Sequence, residues 1–529
     1  MKGRLDRRNI AMKKYTDPTA LQWDAWFVNR ETPQGTQTHA FYLQNGSLTP
    51  QTDPRIDWGV GHAASYDSFH WENLPPVLPP LFDESNPMDF HSKFTGCAVN
   101  LDDVCYLFYT MRDREMGSQR IGVAISRDWV NFEPWEGNPV VVNEDSRPIP
   151  VAGSDRMGTL IGFNNLKDYD WNIVDCRDFI VVEREDDGRG KYIGYYAAAA
   201  DLGGSCPVGV IVAVRSHDLL HWSDPSIVYH VDHHGVLEVP DVFFMDGKWV
   251  LCCLSGMNYS GRRVTTDLYA SNATIVAYAD TPDGPFLEIE EDNILIAGPT
   301  QSGFTCRSFL RDGERHLVYI DRAEIDTSHR KQAMSLPKIL RMDDDRLRVH
   351  YCPLPAEHVA PALPISVWNN EQNSFAWRTF GGTTTWQDGT LTLRTAPKDY
   401  HPVSIPLPAE VAEDGAVMLQ AKVQIHGNGG LFWRCRHLPY MLLWESSEGR
   451  VGLYRSYSFE PIAMRTFPVE EGRTYQLRCL LNDDVLELYV DDLLLMQCGL
   501  PTTHGLSHIG FVADRGELVA SDIEINHLL

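Results

Sequence analysis

A repeated turn constrains this chain more than any other feature. Ala63-Ala64-Ser65-Tyr66-Asp67 is followed four residues later by Trp71, Ala124-Ile125-Ser126-Arg127-Asp128 by Phe132, and Val214-Arg215-Ser216-His217-Asp218 by Trp222. A looser copy runs from Ala277 through Thr281, Pro282 and Asp283 to Phe286. Ser and Asp favour turns because their side chains bond to nearby backbone, but turn chemistry alone does not fix identical offsets three times. Each copy reads as a strand, a polar turn and an aromatic that packs back onto the next strand. Copies begin roughly 60 to 90 residues apart, which suits one four-stranded propeller blade each, with insertions. By extrapolation, about five blades fit between residues 15 and 355.

The segments between these turns agree. Helical periodicity is scarce, and short apolar runs such as GVIVAVRS (209–216) and KWVLCCLSG (248–256) alternate with Gly, Pro, Asp and Asn. That pattern indicates an all-β chain. The Pro- and Ala-rich stretch around 356–365 interrupts it and reads as a linker. Beyond it, residues 366–529 carry longer alternating runs separated by turns such as Asn482-Asp483-Asp484 and Asp491-Asp492, the signature of a β-sandwich. A chain of 529 residues exceeds what one core usually organises, so two domains are expected. The expected order is a leader (1–14), a five-bladed β-propeller (15–355), a linker (356–365) and a C-terminal β-sandwich (366–529).

Charge narrows the partners. With a formal net charge of −26 and a pI near 5.1, the chain repels phosphate backbones and anionic lipid surfaces, so neither nucleic acid nor membrane is expected. The basic cluster Lys2, Arg4, Arg7, Arg8, Lys13 and Lys14 precedes no apolar segment of signal type and reads as a disordered leader. No run approaches the roughly 20 apolar residues that span a bilayer. The eleven cysteines are an odd number without metal-ligand spacing, as expected of buried free thiols in a cytoplasmic protein. Oligomeric state is not encoded in any pattern found.

Three segments set carboxylates beside strand ends with aromatic or rigid neighbours: LQWDAWFV, with Asp24 between Trp23 and Trp26; VDCRDFIVV, with Arg177-Asp178; and VLEVPDVFFMDGKWVLCC, with Glu238 two residues before Pro240. Glycosidic cleavage needs one carboxylate as nucleophile and a second carboxyl group, its pKa raised, to protonate the leaving oxygen. Aromatic walls supply the desolvation and stack on sugar faces. A third carboxylate beside an Arg can hold sugar hydroxyls. His217 and His221 lie in a repeat turn, His233-His234 read as loop surface, and Asp343-Asp344-Asp345 reads as a solvated hairpin, not a metal site.

The ordered set of motifs over roughly residues 20–355 resembles the fructan-active glycoside hydrolases of family 32, the invertases, inulinases and levanases, which are related to the levansucrases. WDAWFV looks like the nucleophile segment in its levansucrase form, and HAFYLQ (39–44) is similar to the strand that follows. WGVGHAASYDSFHWENLPPVL (58–78) resembles the first blade signature, with two extra residues before His62. FTGCAV (94–99) is similar to Phe-Ser-Gly-Ser-Ala-Val, with Cys97 in place of a Ser. Arg177-Asp178-Phe179 departs from Arg-Asp-Pro at its last residue, and Val239 replaces a Cys in the Glu-Cys-Pro-Asp segment. SLPKIL (335–340) resembles the segment that closes the propeller.

The resemblance implies Asp24 as nucleophile, Glu238 as general acid/base and Asp178 as transition-state stabiliser. Gln44, Trp58, Arg177, Trp23 and Trp26 become the expected sugar-binding neighbours. The implied reaction is retaining cleavage of β-fructofuranosidic bonds in fructo-oligosaccharides or fructans, with transfer to an acceptor sugar as a variant. It requires no cofactor and no metal. Two alternatives stay open: a propeller glycosidase for arabinofuranosides or another furanoside, and a non-catalytic fructan-binding protein. Turnover on a panel of furanosides separates them.

Overall fold

The computed structural model describes residues 14–45, 58–78, 92–112, 119–143, 147–161, 176–204, 207–230, 237–255, 272–289, 293–298, 304–323, 331–365, 382–395, 400–409, 411, 415–435, 438–455, 461–482, 484–500 and 505–529. His233-His234 and the basic residues before Lys14 lie outside these.

Two-residue hairpins set much of the strand order. Ser92–Leu101 joins Val104–Arg112 through Asp102-Asp103, and Leu237–Met245 joins Lys248–Ser255 through Asp246-Gly247. Phe304–Arg311 joins Glu314–Ala323 through Asp312-Gly313, and Lys338–Asp343 joins Arg346–Tyr351 through Asp344-Asp345. All eight turn residues have φ between 47° and 85°. Tight hairpins need this left-handed pair, and Asp and Gly accept it at least cost. The acidic run at 343–345 is therefore a hairpin, as its composition suggested.

The chain is all-β, in a β-propeller-like arrangement. Four antiparallel sheets stand as separate blades, starting at Leu21–Thr32, Ser92–Leu101, Arg177–Glu183 and Leu237–Met245; the third and fourth carry extra strands, which include Met157–Ile161 and Ile294–Gly298. A further group begins at Phe304–Arg311 and meets the C-terminal strands where His350 pairs with Leu493 and the Tyr351 N–H donates to the Asp492 carbonyl at 2.8 Å. The first strands of these groups neighbour one another in a closed cycle: the Asp24 strand (Leu21–Thr32) touches Ser92–Leu101, which touches Arg177–Glu183, then Leu237–Met245, then Phe304–Arg311, which returns to the Asp24 strand.

The repeated turns are chemically the same. The hydroxyls of Ser65, Ser126 and Ser216 accept the N–H of Ser68, Trp129 and Leu219, at 2.8, 2.9 and 2.9 Å. Oδ1 of Asp67, Asp128 and Asp218 accepts the next two N–H groups, those of Phe69 and His70, Val130 and Asn131, and Leu220 and His221. Ser68, Trp129 and Leu219 all turn left-handed, with φ of 67°, 65° and 71°. The aromatics behave differently from expectation. Phe132 packs edge-on to Phe41 and His62, in the preceding blade, and Trp222 reaches Phe108 there as well as Phe179 in its own. These rings lie between neighbouring blades, where their faces and edges meet other aromatics.

C-terminal strands, among them Val417–Cys435, Tyr475–Asn482 and Leu506–His527, enclose one apolar cluster that includes Leu419, Trp433, Leu442, Leu488 and Phe511. The segment expected as a linker lies along them, with the N–H groups of Ala360 and Leu363 donating to His527 and Ile525. A buried ionic group joins them to the blades. Lys338 lies 3.0 Å from Glu487, Lys14 lies 2.7 Å from Asp321, and Gln497 donates to Asp321 at 2.8 Å. Lys14, counted with the leader from sequence, is thus buried. No helix among the described residues is long and apolar enough to cross a membrane.

Candidate active site

Each of the five inner strands carries a register shift: between Trp23 and Ala25, Phe94 and Cys97, Arg177 and Ile180, Glu238 and Asp241, and Phe304 and Arg307. A β-bulge leaves a residue unpaired and re-aims side chains off the pleat. Asp24 is the unpaired residue of the first bulge, and Asp178 lies in the third. Backbone φ is positive at Asp178 (60°), Val239 (49°) and Thr305 (50°). For the β-branched Val239 and Thr305 that conformation is costly, and such strain collects at functional sites. In the second bulge a Cβ on Gly96 would meet the Phe108 carbonyl oxygen at 2.0 Å, so only glycine fits there.

The bulges bring the three carboxylates together. Asp24 and Asp178 are 7% and 5% exposed, whereas the Glu238 side chain is 40% exposed. The Thr95 hydroxyl donates to Asp24 Oδ2, and Asp24 Oδ1 has no hydrogen-bond partner among the described residues. Asp178 Oδ2 accepts the Val239 N–H at 2.9 Å. The Asp178 N–H donates to the Thr110 hydroxyl at 2.9 Å, which in turn donates to the Thr95 carbonyl at 2.8 Å. Arg177 spans two carboxylates: Nε lies 3.6 Å from Asp178 Oδ2 and Nη2 lies 3.5 Å from Glu238 Oε1. Its Nη2 also donates to the Leu237 carbonyl at 3.2 Å.

Burial, opposed by the Thr95 hydrogen bond and reinforced by the charges of Asp178 and Glu238, pushes the Asp24 carboxyl up to about 7. The acid role expected of Glu238 calls for a raised carboxyl there. Asp24 is the more deeply buried of the two, because the bulge turns it inward while Glu238 opens to solvent. Of the expected sugar neighbours, Arg177 is in place. Trp23 and Trp58 are partly buried against the cluster holding Trp26 and Phe41. Trp26 itself is 1% exposed within that cluster and offers no face to a ligand. Gln44 donates through Nε2 to the buried Asp17 at 2.9 Å, an oxygen that also accepts the Tyr42 hydroxyl at 2.8 Å.

Four residues escaped sequence reasoning: Thr95, Thr110, Thr305 and Arg307. A signal for two of them exists, since the second and fifth inner strands hold Phe94-Thr95-Gly96-Cys97 and Phe304-Thr305-Cys306. Both threonines fall in bulges and lie beside Asp24. Among the described residues no group of three or more His, Cys, Asp or Glu side chains is set to hold a metal ion.

The family profile described as "Glycosyl hydrolases family 32 N-terminal domain" matches residues 34–152. Over those residues the chain is similar to glycoside hydrolase family 32. The match and the relatives that follow indicate a glycoside hydrolase. A sucrose-6-phosphate hydrolase of Zymomonas mobilis is 22% identical over 479 residues, 86% of this chain and 79% of the relative. Among solved structures, a sucrose-6-phosphate hydrolase from Lactobacillus gasseri superimposes with a TM-score of 0.67 at 14% identity, covering 98% of this chain and 93% of that one. A family 32 β-fructofuranosidase of Bombyx mori gives 0.65 at 18% identity, with 98% and 93% covered. An exo-inulinase of Aspergillus awamori gives 0.65 at 13% identity, with 100% and 99% covered. At these identities the structural likeness concerns the fold.

Proposed function

We propose that this chain is a retaining β-fructofuranosidase of family 32, with Asp24 as nucleophile, Glu238 as general acid/base and Asp178 as stabiliser of the transition state. One observation carries the reading: three carboxylates on three bulged inner strands converge, with Arg177 spanning two of them. The relatives named for sucrose 6-phosphate, β-fructofuranosides and inulin share the fructosyl unit and differ in what leaves it. That common unit is the substrate part we assign here, with fructo-oligosaccharides or fructans as donors.

In the first displacement Asp24 attacks the anomeric carbon while Glu238 protonates the departing oxygen; in the second, Glu238 activates water or an acceptor sugar. The more exposed position of Glu238 suits a group that must meet leaving group, water and acceptor in turn. The buried Asp24 must first lose its proton. A sugar centre gaining positive charge favours that loss, and Asp178 and Arg177 order the charges around it. No cofactor enters the scheme.

The finer architecture is also a proposal. We infer five blades over residues 15–355 from the closed cycle of five inner strands, and a β-sandwich over 366–529 from the cluster its long strands enclose. Ten described cysteines, all buried and held as thiols, support a reducing, cytoplasmic setting. The test is turnover on sucrose, inulin, levan and aryl furanosides, with the anomeric configuration of the first product followed by NMR. Release of β-fructose supports the reading; an inverted product, or activity on arabinofuranosides alone, defeats it.

A further inference from the structure

The five inner bulges create a cost that carboxylate chemistry does not explain. Each bulge frees backbone carbonyls from the ladder, and a buried carbonyl without a donor is destabilising. Arg307, 1% exposed, sits where these carbonyls meet. Its Nη1 donates to the Pro240 carbonyl. Its Nη2 makes longer contacts, at 3.4 Å each, to the carbonyls of Gly96 and Asp178. Those acceptors belong to the bulges of three different inner strands, while Arg307 closes the bulge of a fourth. Its Nε has no hydrogen-bond partner among the described residues, so the whole donor capacity in use is spent on these carbonyls.

We propose that Arg307 is a positioning residue: a cationic clamp beneath the site that fixes the Gly96, Asp178 and Pro240 bulges and so sets Asp178 and Glu238 against Asp24. A guanidinium can serve this because it directs several N–H bonds in a fixed plane, whereas a lysine ammonium is a compact group on a flexible stem. Glu238 lies two residues from Pro240, and Asp178 supplies one acceptor from its own backbone. Loosening the clamp therefore moves two carboxylates without removing any chemical group. This inference rests on the fructosidase reading above.

The test compares wild type with Arg307→Lys and Arg307→Ala on a fructoside that wild type hydrolyses. The clamp predicts a fall in kcat on the order of 10²-fold in Arg307→Lys, the scale of a misplacement near 1 Å, with KM within about threefold. It also predicts that guanidinium ion, well below denaturing concentration, restores part of the kcat of Arg307→Ala while methylammonium does not. A kcat for Arg307→Lys within about threefold of wild type overturns the proposal, as does a loss that neither cation distinguishes. A crystal structure of Arg307→Lys reads the same point without turnover. Displaced Gly96, Asp178 and Pro240 carbonyls uphold the clamp, and unmoved bulges refute it even if wild type proves inactive on every fructoside, an outcome that would defeat only the activity reading.

Discussion

Replacing Asp24 with Asn removes the proposed nucleophile, and the same change should stabilise the protein at neutral pH. The buried carboxyl is raised from 3.8 to about 7. Between those values the folded protein keeps a proton that the unfolded chain releases. The stability associated with that proton is complete below about 4, declines as pH rises, and is lost above about 7. Roughly 3 pH units at about 1.4 kcal/mol each give an upper limit of about 4 kcal/mol for holding Asp24 ionised at pH 8. Asn carries no such cost. Its amide nitrogen would occupy the place of Oδ1, which has no hydrogen-bond partner among the described residues, at a cost of about 1–3 kcal/mol. The net expectation is that Asp24→Asn is about 1–3 kcal/mol more stable than wild type at pH 8 and no more stable at pH 4. Urea unfolding of both proteins at intervals from pH 4 to 8 measures it. Stability differences that stay constant across that range would refute the account of Asp24, whatever happens to activity.

Three further outcomes follow from the same geometry. Because attack requires the anion, kcat/KM should rise with pH on a limb centred near 7, and that limb should report the free enzyme; a plateau extending down to pH 5 would contradict the burial of Asp24. Gly96→Ala should cost at least ~2 kcal/mol and most of the activity, because its Cβ meets a backbone carbonyl that cannot retreat, as thermal unfolding and kcat will show. Lys338→Met strands Glu487, which burial would raise but Lys338 and Lys14 hold below its ordinary range, so unfolding free energy should fall by about 3–5 kcal/mol, while adding Glu487→Leu should recover much of it.

Local chemistry made much of the fold legible. The Ser-x-Asp turns are written in side chains that bond to their own backbone, and they form the same bonds three times. The Asp-Gly and Asp-Asp hairpins are legible because those residues accept the left-handed turn conformation at least cost. Non-local effects were not. Trp26 reads as a sugar platform beside Asp24, yet the bulge at Asp24 puts both side chains inside, one toward the site and one into the apolar cluster. Nothing in the sequence near Thr110 or Arg307 announces a partner, because those partners come from strands tens to hundreds of residues away. The carboxylates themselves were found through ordered motifs, but which one is desolvated depends on how each strand is bent. The joining of the last blade group to the C-terminal strands draws on the His350–Leu493 pair, the packing of Tyr351 on Tyr489 and a buried ionic group, none of which has a sequence pattern.

The division of labour between Asp24 and Glu238 can be read directly by trapping. Glu238→Gln keeps the nucleophile but lacks the base that activates water. An aryl fructoside, whose leaving group departs with little help from an acid, should load the variant faster than it can be cleared. Peptide mapping by mass spectrometry of the quenched reaction then locates the adduct. The account predicts the added mass of one fructosyl residue on the peptide containing Asp24, present in Glu238→Gln and absent in Asp24→Asn. An adduct on Glu238 in wild type, or a turning-over enzyme that never carries one at Asp24, would contradict it.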